Sequence, residues 1–485
     1  MKSSLQVLLF IKQNLLPPAG LFLLLITNGA VAQQTSSKKY NVLFIVADDL
    51  RPELGAYGVN MIKTPSIDKI AAGGTRFDNA YAQYPVCNPS RTSLLTGRYP
   101  TQTGVMNNND YFRRIHPEFV TLPEYFKNNG YATLRTGKIF HGGIDDAPSW
   151  TEGGEPTDSA ITERGKATPK KLVDANELPD APANESLSKS AASDRIIVLE
   201  GDGESHGDYK TATQAIKYLE QYKDQPFFLA VGFVKPHSPP TAPRKFFDLY
   251  DVNKIELPAD FGSTPQAPPG FPEISISKPN SDLFIGREST PELSKEMKRA
   301  YYASTSFMDA QVGRVMEALE KNGLSGNTIV VFFGDHGYHL GEKGKWSKAY
   351  SLYELGLRVP LIIALPKGKA EHTSQIVGLI DLYPTLAELC GLPKPAGVEG
   401  HSLGSLLTNK KTDWNFPAYS VTAVRNKIGK SVRTFRWHYV EWEEGRSGSM
   451  LFEHPVDPSE SKNLATDPKY AAVVQEMKQL LAKMP

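Results

Sequence analysis

The 485-residue chain carries 54 lysines and arginines against 53 aspartates and glutamates, a formal charge of +1. That balance excludes recruitment of nucleic acid or of an anionic membrane surface by a global field, so affinity for an anionic ligand has to come from basic residues gathered locally. A hydrophobic fraction of 40% suffices for a large core, and two cysteines exclude a disulfide scaffold.

At the N-terminus Lys2 and Lys12 precede the short apolar run from Leu21 to Ile26, and Ala30-Val31-Ala32 supplies a small-x-small cleavage pattern, so residues 1–32 read as a signal peptide. No run in the chain reaches the roughly 20 apolar residues of a membrane span, and no lipid-anchor cysteine follows the cleavage point. The expected location is periplasmic, or secreted or lysosomal in a eukaryote. What remains divides into residues 33–409, a large domain, and 410–485, a small one.

Asn41 to Ala47 is an unbroken apolar run ending in Asp48-Asp49. It predicts a strand buried on both faces, as do Pro226 to Phe233, Thr328 to Phe333 (followed by Gly334-Asp335-His336) and Val359 to Ala364. Helical patterns lie between them at Leu122 to Asn129, Lys210 to Tyr222 and Lys295 to Asn322, and alternation of strand and helix predicts a doubly wound α/β fold. Residues 145 to 208, rich in Asp, Glu, Pro, Ser and Ala, read as a long irregular insertion on the surface. After residue 410 short alternating strands at Ala418 to Thr422, Val432 to Trp442 and Met450 to Glu453, then a helix at Tyr470 to Lys483, predict a small antiparallel α+β subdomain.

Cys87-Asn88-Pro89-Ser90-Arg91 is the most informative segment. Asn88 suits an N-cap and Pro89 the first helical position, so a short helix is expected up to Thr96, stopped by Gly97. Cys87 then lies just before a helix N-terminus, a place receptive to an anion, with the planar fork of Arg91 one turn on. Against this stand two bland readings, a Cys87–Cys390 disulfide and an inert buried thiol. Cys390, in the apolar stretch from Tyr383 to Gly391, is expected to be a free core residue.

Cys-x-Pro-Ser-Arg followed by Leu94-x-Thr96-Gly97-Arg98 resembles the active-site segment of the formylglycine-dependent sulfatases. The resemblance implies the alkaline-phosphatase-like superfold, a large mixed and mostly parallel sheet sandwiched by helices. It implies that a sulfatase-maturing enzyme reads the cysteine, proline and arginine and oxidises Cys87 to formylglycine. The hydrated aldehyde keeps a second hydroxyl on the attacked carbon, whose deprotonation releases sulfate. It further implies one calcium ion held by Asp48, Asp49, Asp335, His336 and residue 87. Calcium favours oxygen donors, so the aspartates are apt and His336 is the less usual ligand. Alone, Asp48-Asp49 would read as a turn.

Three basic segments resemble the family's sulfate-binding ones: Gly137-Lys138-Ile139-Phe140-His141, Lys235-Pro236-His237 and Gly341 to Lys348. Arg91, Lys138, His237 and Lys348 are the expected substrate-binding residues, with His237 as acid for the leaving oxygen and His141 assisting sulfate loss. The spacing Lys138-x-x-His141, the pair Asp335-His336, and the segments Asp48-Asp49-Leu50-Arg51-Pro52 and Ser306-Phe307-Met308-Asp309 are similar to the iduronate 2-sulfatase branch. That branch implies a 2-O-sulfated uronic acid ending a glycosaminoglycan fragment, its carboxylate met by Arg113, Arg114 or Lys345. The remaining histidines, among them His438 and His454, receive no catalytic role. Alternatives are a sulfatase of another carbohydrate position, a phosphonate or phosphate ester hydrolase of the same superfold, and a non-catalytic glycan-binding protein.

Overall fold

The computed structural model describes residues 39–156, 192–408 and 413–485. The expected signal peptide and most of the irregular insertion lie outside the described residues. In chain order the strands are β1 (Asn41–Ala47), β2 (Thr75–Tyr81), β3 (Ala132–Gly137), β4 (Ile197–Leu199), β5 (Phe227–Phe233), β6 (Thr241–Pro243), β7 (Thr328–Gly334), β8 (Arg358–Ala364), β9 (Glu371–Gly378), β10 (Ala418–Val424), β11 (Lys427–Arg433), β12 (Trp437–Trp442) and β13 (Ser449–Glu453).

Seven of them form one sheet in the order β3-β5-β1-β7-β8-β2-β9. All neighbours pair in parallel except β7 with β8 and β8 with β2, so only β8 runs against the rest. This is the mixed, mostly parallel, helix-sandwiched sheet of the alkaline-phosphatase-like superfold. The apolar runs are continuous because both faces are covered. On one face of β1, Val42, Phe44 and Val46 pack with Phe228, Phe333, Leu94 and Leu95. On the other, Leu43, Ile45 and Ala47 pack with Ala212, Ala215, Met308 and Val312, residues of the helices Gly207–Gln221 and Pro291–Lys321.

Register sets up the site. Phe233, Ala47 and Gly334 end β5, β1 and β7 in line, and the backbone of Asp48 donates to the Phe233 carbonyl at 3.1 Å while that of Asp335 donates to the Ala47 carbonyl at 3.2 Å. The acidic pairs therefore leave neighbouring strands side by side, at the carboxyl edge where open α/β sheets bind ligands. On the adjoining strands Gly137 pairs with Gly232, and a Cβ on either would collide with backbone across the pair, so this close approach of the Lys138 turn requires glycine.

The strands β2, β3 and β9 escape the apolar-run criterion because they lie towards the ends of the sheet and carry polar residues. Val432 to Trp442, expected as one strand, is the hairpin of β11 and β12, turned at Thr434 to Arg436. Residues 145–208 are also more ordered at their ends than expected. Asp146 and Trp150 are buried, β4 pairs with β6, and the helix already starts at Gly207.

The antiparallel sheet β10-β11-β12-β13 joins the large sheet through shared core: Tyr81, Leu357 and Ile376 pack with Ala418, Val440, Met450 and Phe452. No helix among the described residues is long and apolar enough to cross a membrane.

Candidate active site

The helix bearing the cysteine runs Cys87–Thr96 and ends at Gly97, whose φ of 65° is the left-handed C-terminal stop. Its start corrects the sequence reading. Cys87 is the first helical residue and Asn88 is not the cap, because its side chain is spent on a neighbouring loop: Nδ2 donates to the carbonyls of Asn107 and Asp110 at 2.9 and 2.7 Å. Both cysteines are free and buried, which excludes the disulfide.

Four residues converge at the strand ends. Asp48, Cys87, Asp335 and His336 each bring one ligand atom within 4.8 Å of the others, all buried. Cys87 Sγ lies 3.4 Å from Asp48 Oδ1 and 3.2 Å from His336 Nε2. This Sγ stands where an oxygen of the hydrated formylglycine would be. Asp49, expected in the same group, sits on its flank, with Oδ1 3.6 Å from His336 Nδ1 and Oδ2 3.8 Å from His237 Nε2. It has φ 62°, a strained conformation for a non-glycine residue and one held in place by Tyr301 Oη on its carbonyl at 2.8 Å.

The cations expected from sequence reach this cluster. Lys138 Nζ bonds Asp48 Oδ2, and Lys348 Nζ lies 2.9 and 3.0 Å from the two oxygens of Asp49, aligned for a hydrogen bond only with Oδ2. Arg91 is as much strut as ligand. Its Nε donates to Asp335 Oδ2 at 2.8 Å and its Nη1 to the carbonyls of Lys138 and Ile139, leaving Nη2 buried without a hydrogen bond, 3.8 Å from Asp48 Oδ1. His237 Nδ1 is pinned to the Ser238 carbonyl at 2.8 Å, so its Nε2 faces the cluster. His141 is buried, with Nδ1 lacking a hydrogen-bond partner, and makes no hydrogen bond or ion pair to the cluster among the described residues.

The electrostatics mark this as a strained set of charges. Burial pushes Asp49 up to about 7 despite Lys348, with Asp48 adding to the rise. Burial would raise Asp48 too, but Lys138, His237 and Arg91 hold it well below the usual carboxylate range. Burial and Lys348 drop His237 to about 3, and burial and Lys138 keep His141 well below its ordinary value. A divalent cation fits here on two observations: the four donors converge, and Asp49 Oδ1 keeps a lone pair that no aligned donor uses.

Several supporting residues have no role assigned from the sequence. Asp282 accepts from Ser238 Oγ and from Tyr338 Oη, lies 3.7 Å from Lys348 Nζ, and is held at about 2, burial being outweighed by Lys348 and His237. Asp208 takes the backbone N–H groups of Val234 and Lys235 and so fixes the turn carrying His237. Arg51 ties the strand end to Glu342 at 2.9 Å, anchoring the loop that leads to Lys348. Of the proposed carboxylate binders, Arg113 is already paired with Glu124 and Asp146, and Lys345 is buried at 1% exposure.

The fold and this cluster define an ester hydrolase of anionic substrates, and the comparisons give its family. The chain belongs to the sulfatase family, whose model matches residues 40–392; a model of the C-terminal part of N-sulphoglucosamine sulphohydrolase matches residues 341–485. Iduronate 2-sulfatase of Homo sapiens is 36% identical over 405 residues, covering 73% of this chain and 70% of that protein. The Mus musculus enzyme is 34% identical over 421 residues, covering 76% and 71%. A solved 2-O GAG sulfatase superposes with TM-score 0.64 at 25% identity, covering 92% of this chain and 91% of that one.

Proposed function

We propose that the protein removes the 2-O-sulfate from a terminal uronic acid of a glycosaminoglycan fragment, of the heparin, heparan sulfate or dermatan kind. Its likeness to two iduronate 2-sulfatases and to a 2-O GAG sulfatase supports the position and the substrate class. The observation that carries the chemistry is the convergence of Asp48, Asp335, His336, Lys138 and Lys348 around one cysteine that opens a helix.

Residue 87, oxidised to formylglycine by a maturing enzyme, supplies in its hydrated form a hydroxyl nucleophile and a second hydroxyl for release of sulfate. Asp48, Asp49, Asp335, His336 and residue 87 would hold a calcium ion, which would supply positive charge favouring the ionised hydroxyl. The protein's own side chains do the rest. Lys138, Lys348 and the spare Nη2 of Arg91 receive the sulfate oxygens, and this fixed charge, in a site closed to water, is the largest catalytic contribution. His237 delivers a proton to the leaving sugar oxygen. Its Nδ1–H is committed to Ser238, so that proton rides on Nε2, and the arriving sulfate raises the ring's proton affinity. His141 assists loss of sulfate.

Desulfation of disaccharides that carry a single sulfate tests the reading. Release from a 2-O-sulfated uronate supports it; release only from a 6-O-sulfated amino sugar overturns the position and keeps the chemistry. Mass analysis of the tryptic peptide Phe77 to Arg91 from the native host tests maturation, and an unmodified cysteine there defeats the mechanism.

A further inference from the structure

Beside the candidate site lies a cavity of about 150 Å³ that shares Lys348 with it and is also lined by Val86, the residue before Cys87. The loop Met106 to Asn109 supplies one part of its lining and the segment Lys348 to Tyr350 another. The chemistry of this lining is specific. Three consecutive asparagines line it; Asn107 and Asn108 spend part of their amides within the protein, and the donor and acceptor capacity that an amide keeps beyond one bond suits a ring bearing several hydroxyls. The charged residues in it, Lys348 and Asp282, lie 3.7 Å apart.

The cysteine motif itself holds this loop. Asn88 is 1% exposed and uses every polar function it has. Its N–H donates to Asn108 Oδ1 at 3.1 Å, its Nδ2 donates to the carbonyls of Asn107 and Asp110, and its Oδ1 accepts from the Thr92 hydroxyl at 3.3 Å. The loop is stiffened from within as well. Asp110 Oδ2 takes the Met106 N–H at 2.9 Å and Asn107 Nδ2 at 2.8 Å, and Tyr84 Oη donates to the Met106 carbonyl at 2.7 Å. Neither the helix nor the residues a maturing enzyme would read require asparagine at 88. The two-donor amide is required by the loop.

We propose that this cavity is the sugar subsite, taking the hydroxyls of the ring that bears the sulfate, and that Asn88 is its positioning residue, holding the wall at a fixed distance from the side chain at 87. The inference rests on the sulfate-ester reading above. The tests are Asn88→Ala and, away from the catalytic helix, Asn109→Ala, each assayed per mole of formylglycine determined by mass. For both, KM for the 2-O-sulfated disaccharide is expected to rise about tenfold while kcat stays within about threefold, the signature of lost binding that precedes chemistry. A fall in kcat with KM unchanged would make Asn88 a support of the nucleophile only and overturn the subsite, as would no change in either constant. If Asn88→Ala does not fold, Asn109→Ala decides, and an unaltered KM there overturns the proposal. Wild-type protein that releases no sulfate from any of the disaccharides removes the underlying reading; active wild type with KM insensitive to both variants removes the subsite alone.

Discussion

Among the described residues one group of carboxylates and histidines surrounds Cys87 and another lies at the antiparallel sheet, and only the first has the character of a reactive site. The first gathers Asp48, Asp335 and His336 around Cys87; the second gathers Glu354, His438, His454 and Glu460 where the antiparallel sheet meets the large one. In each, one atom from every residue falls within 4.8 Å of the others. Proximity therefore does not separate them. Charge balance does.

In the second cluster Glu354 accepts from Tyr81 Oη at 2.9 Å and Arg433 Nε at 3.3 Å, and lies 3.1 Å from His454 Nε2; Glu460 accepts from His438 Nδ1 at 2.5 Å and from the Glu354 N–H at 2.7 Å. Burial works against both carboxylates, yet Arg433 and His454 hold Glu354 at about 2, and His438 holds Glu460 far below its ordinary value. Arg433 and a protonated His454 balance the two negative charges, with only ring nitrogens left over. In the first cluster burial drives Asp49 up to about 7, and a carboxyl oxygen and an arginine nitrogen lack aligned partners. Similar residue types form a clasp when their charges balance, and a site when they do not.

Metal content and turnover put the comparison to its hardest test. Asp335→Asn is expected to lose the bound ion and more than about 1000-fold in sulfate-ester turnover, whereas Glu460→Gln keeps the ion; elemental analysis of both variants reads this, and loss of the ion from Glu460→Gln breaks the distinction. Stability gives the converse. Glu354→Gln leaves Arg433 and His454 buried without their carboxylate and is expected to cost about 3–5 kcal/mol in urea unfolding, with kcat of the folded fraction changed only a few-fold.

The clasp also predicts a pH profile. His454 rises from 6.5 to about 9 on folding: burial opposes the charge, and Glu354 and Glu460 more than restore it. Its stabilisation is thus full below pH 6.5 and lost as pH rises through 9. Glu354 falls from 4.5 to about 2, so its share is present above pH 4.5 and lost as pH drops through 2. The melting temperature of wild type should fall between pH 7 and 9, and that of His454→Gln should fall less; equal slopes would remove His454 from the assignment. The smallest effect is expected at Asp208→Ala, which frees the Val234–Lys235 backbone and should lower kcat about tenfold by loosening His237, seen in steady-state kinetics with unchanged metal content.

Much of the first cluster was legible in the sequence because each of its residues is tied to a local signal. Asp48-Asp49 and Asp335-His336 end apolar runs, Cys87 opens a proline-containing helix, and Lys138 and His237 follow strands or glycines. The second cluster had no such signal. Glu354 opens a four-residue helix, His438 lies on β12, and His454 and Glu460 lie on the segment after β13, and His438 and His454 were read as ordinary histidines. Asn88 was misassigned because capping is a local preference, while the unsatisfied carbonyls of Asn107 and Asp110, about 20 residues away, outbid it. Arg91 was expected to reach over the anion, yet most of its donors brace Asp335 and the Lys138 turn.

Sequence alone determined the central strands β1, β5, β7 and β8, the carboxyl-edge placement of the acidic pairs and the chemical type of the nucleophile segment, because continuous burial, helix termini and motif spacing are short-range properties. Tertiary structure decided which charges meet, which of them are satisfied, and which loop borders the cysteine. Those outcomes depend on strand register and on contacts between residues as far apart as 299 positions, such as Asp49 and Lys348, whose energy exists only once water has been excluded between them.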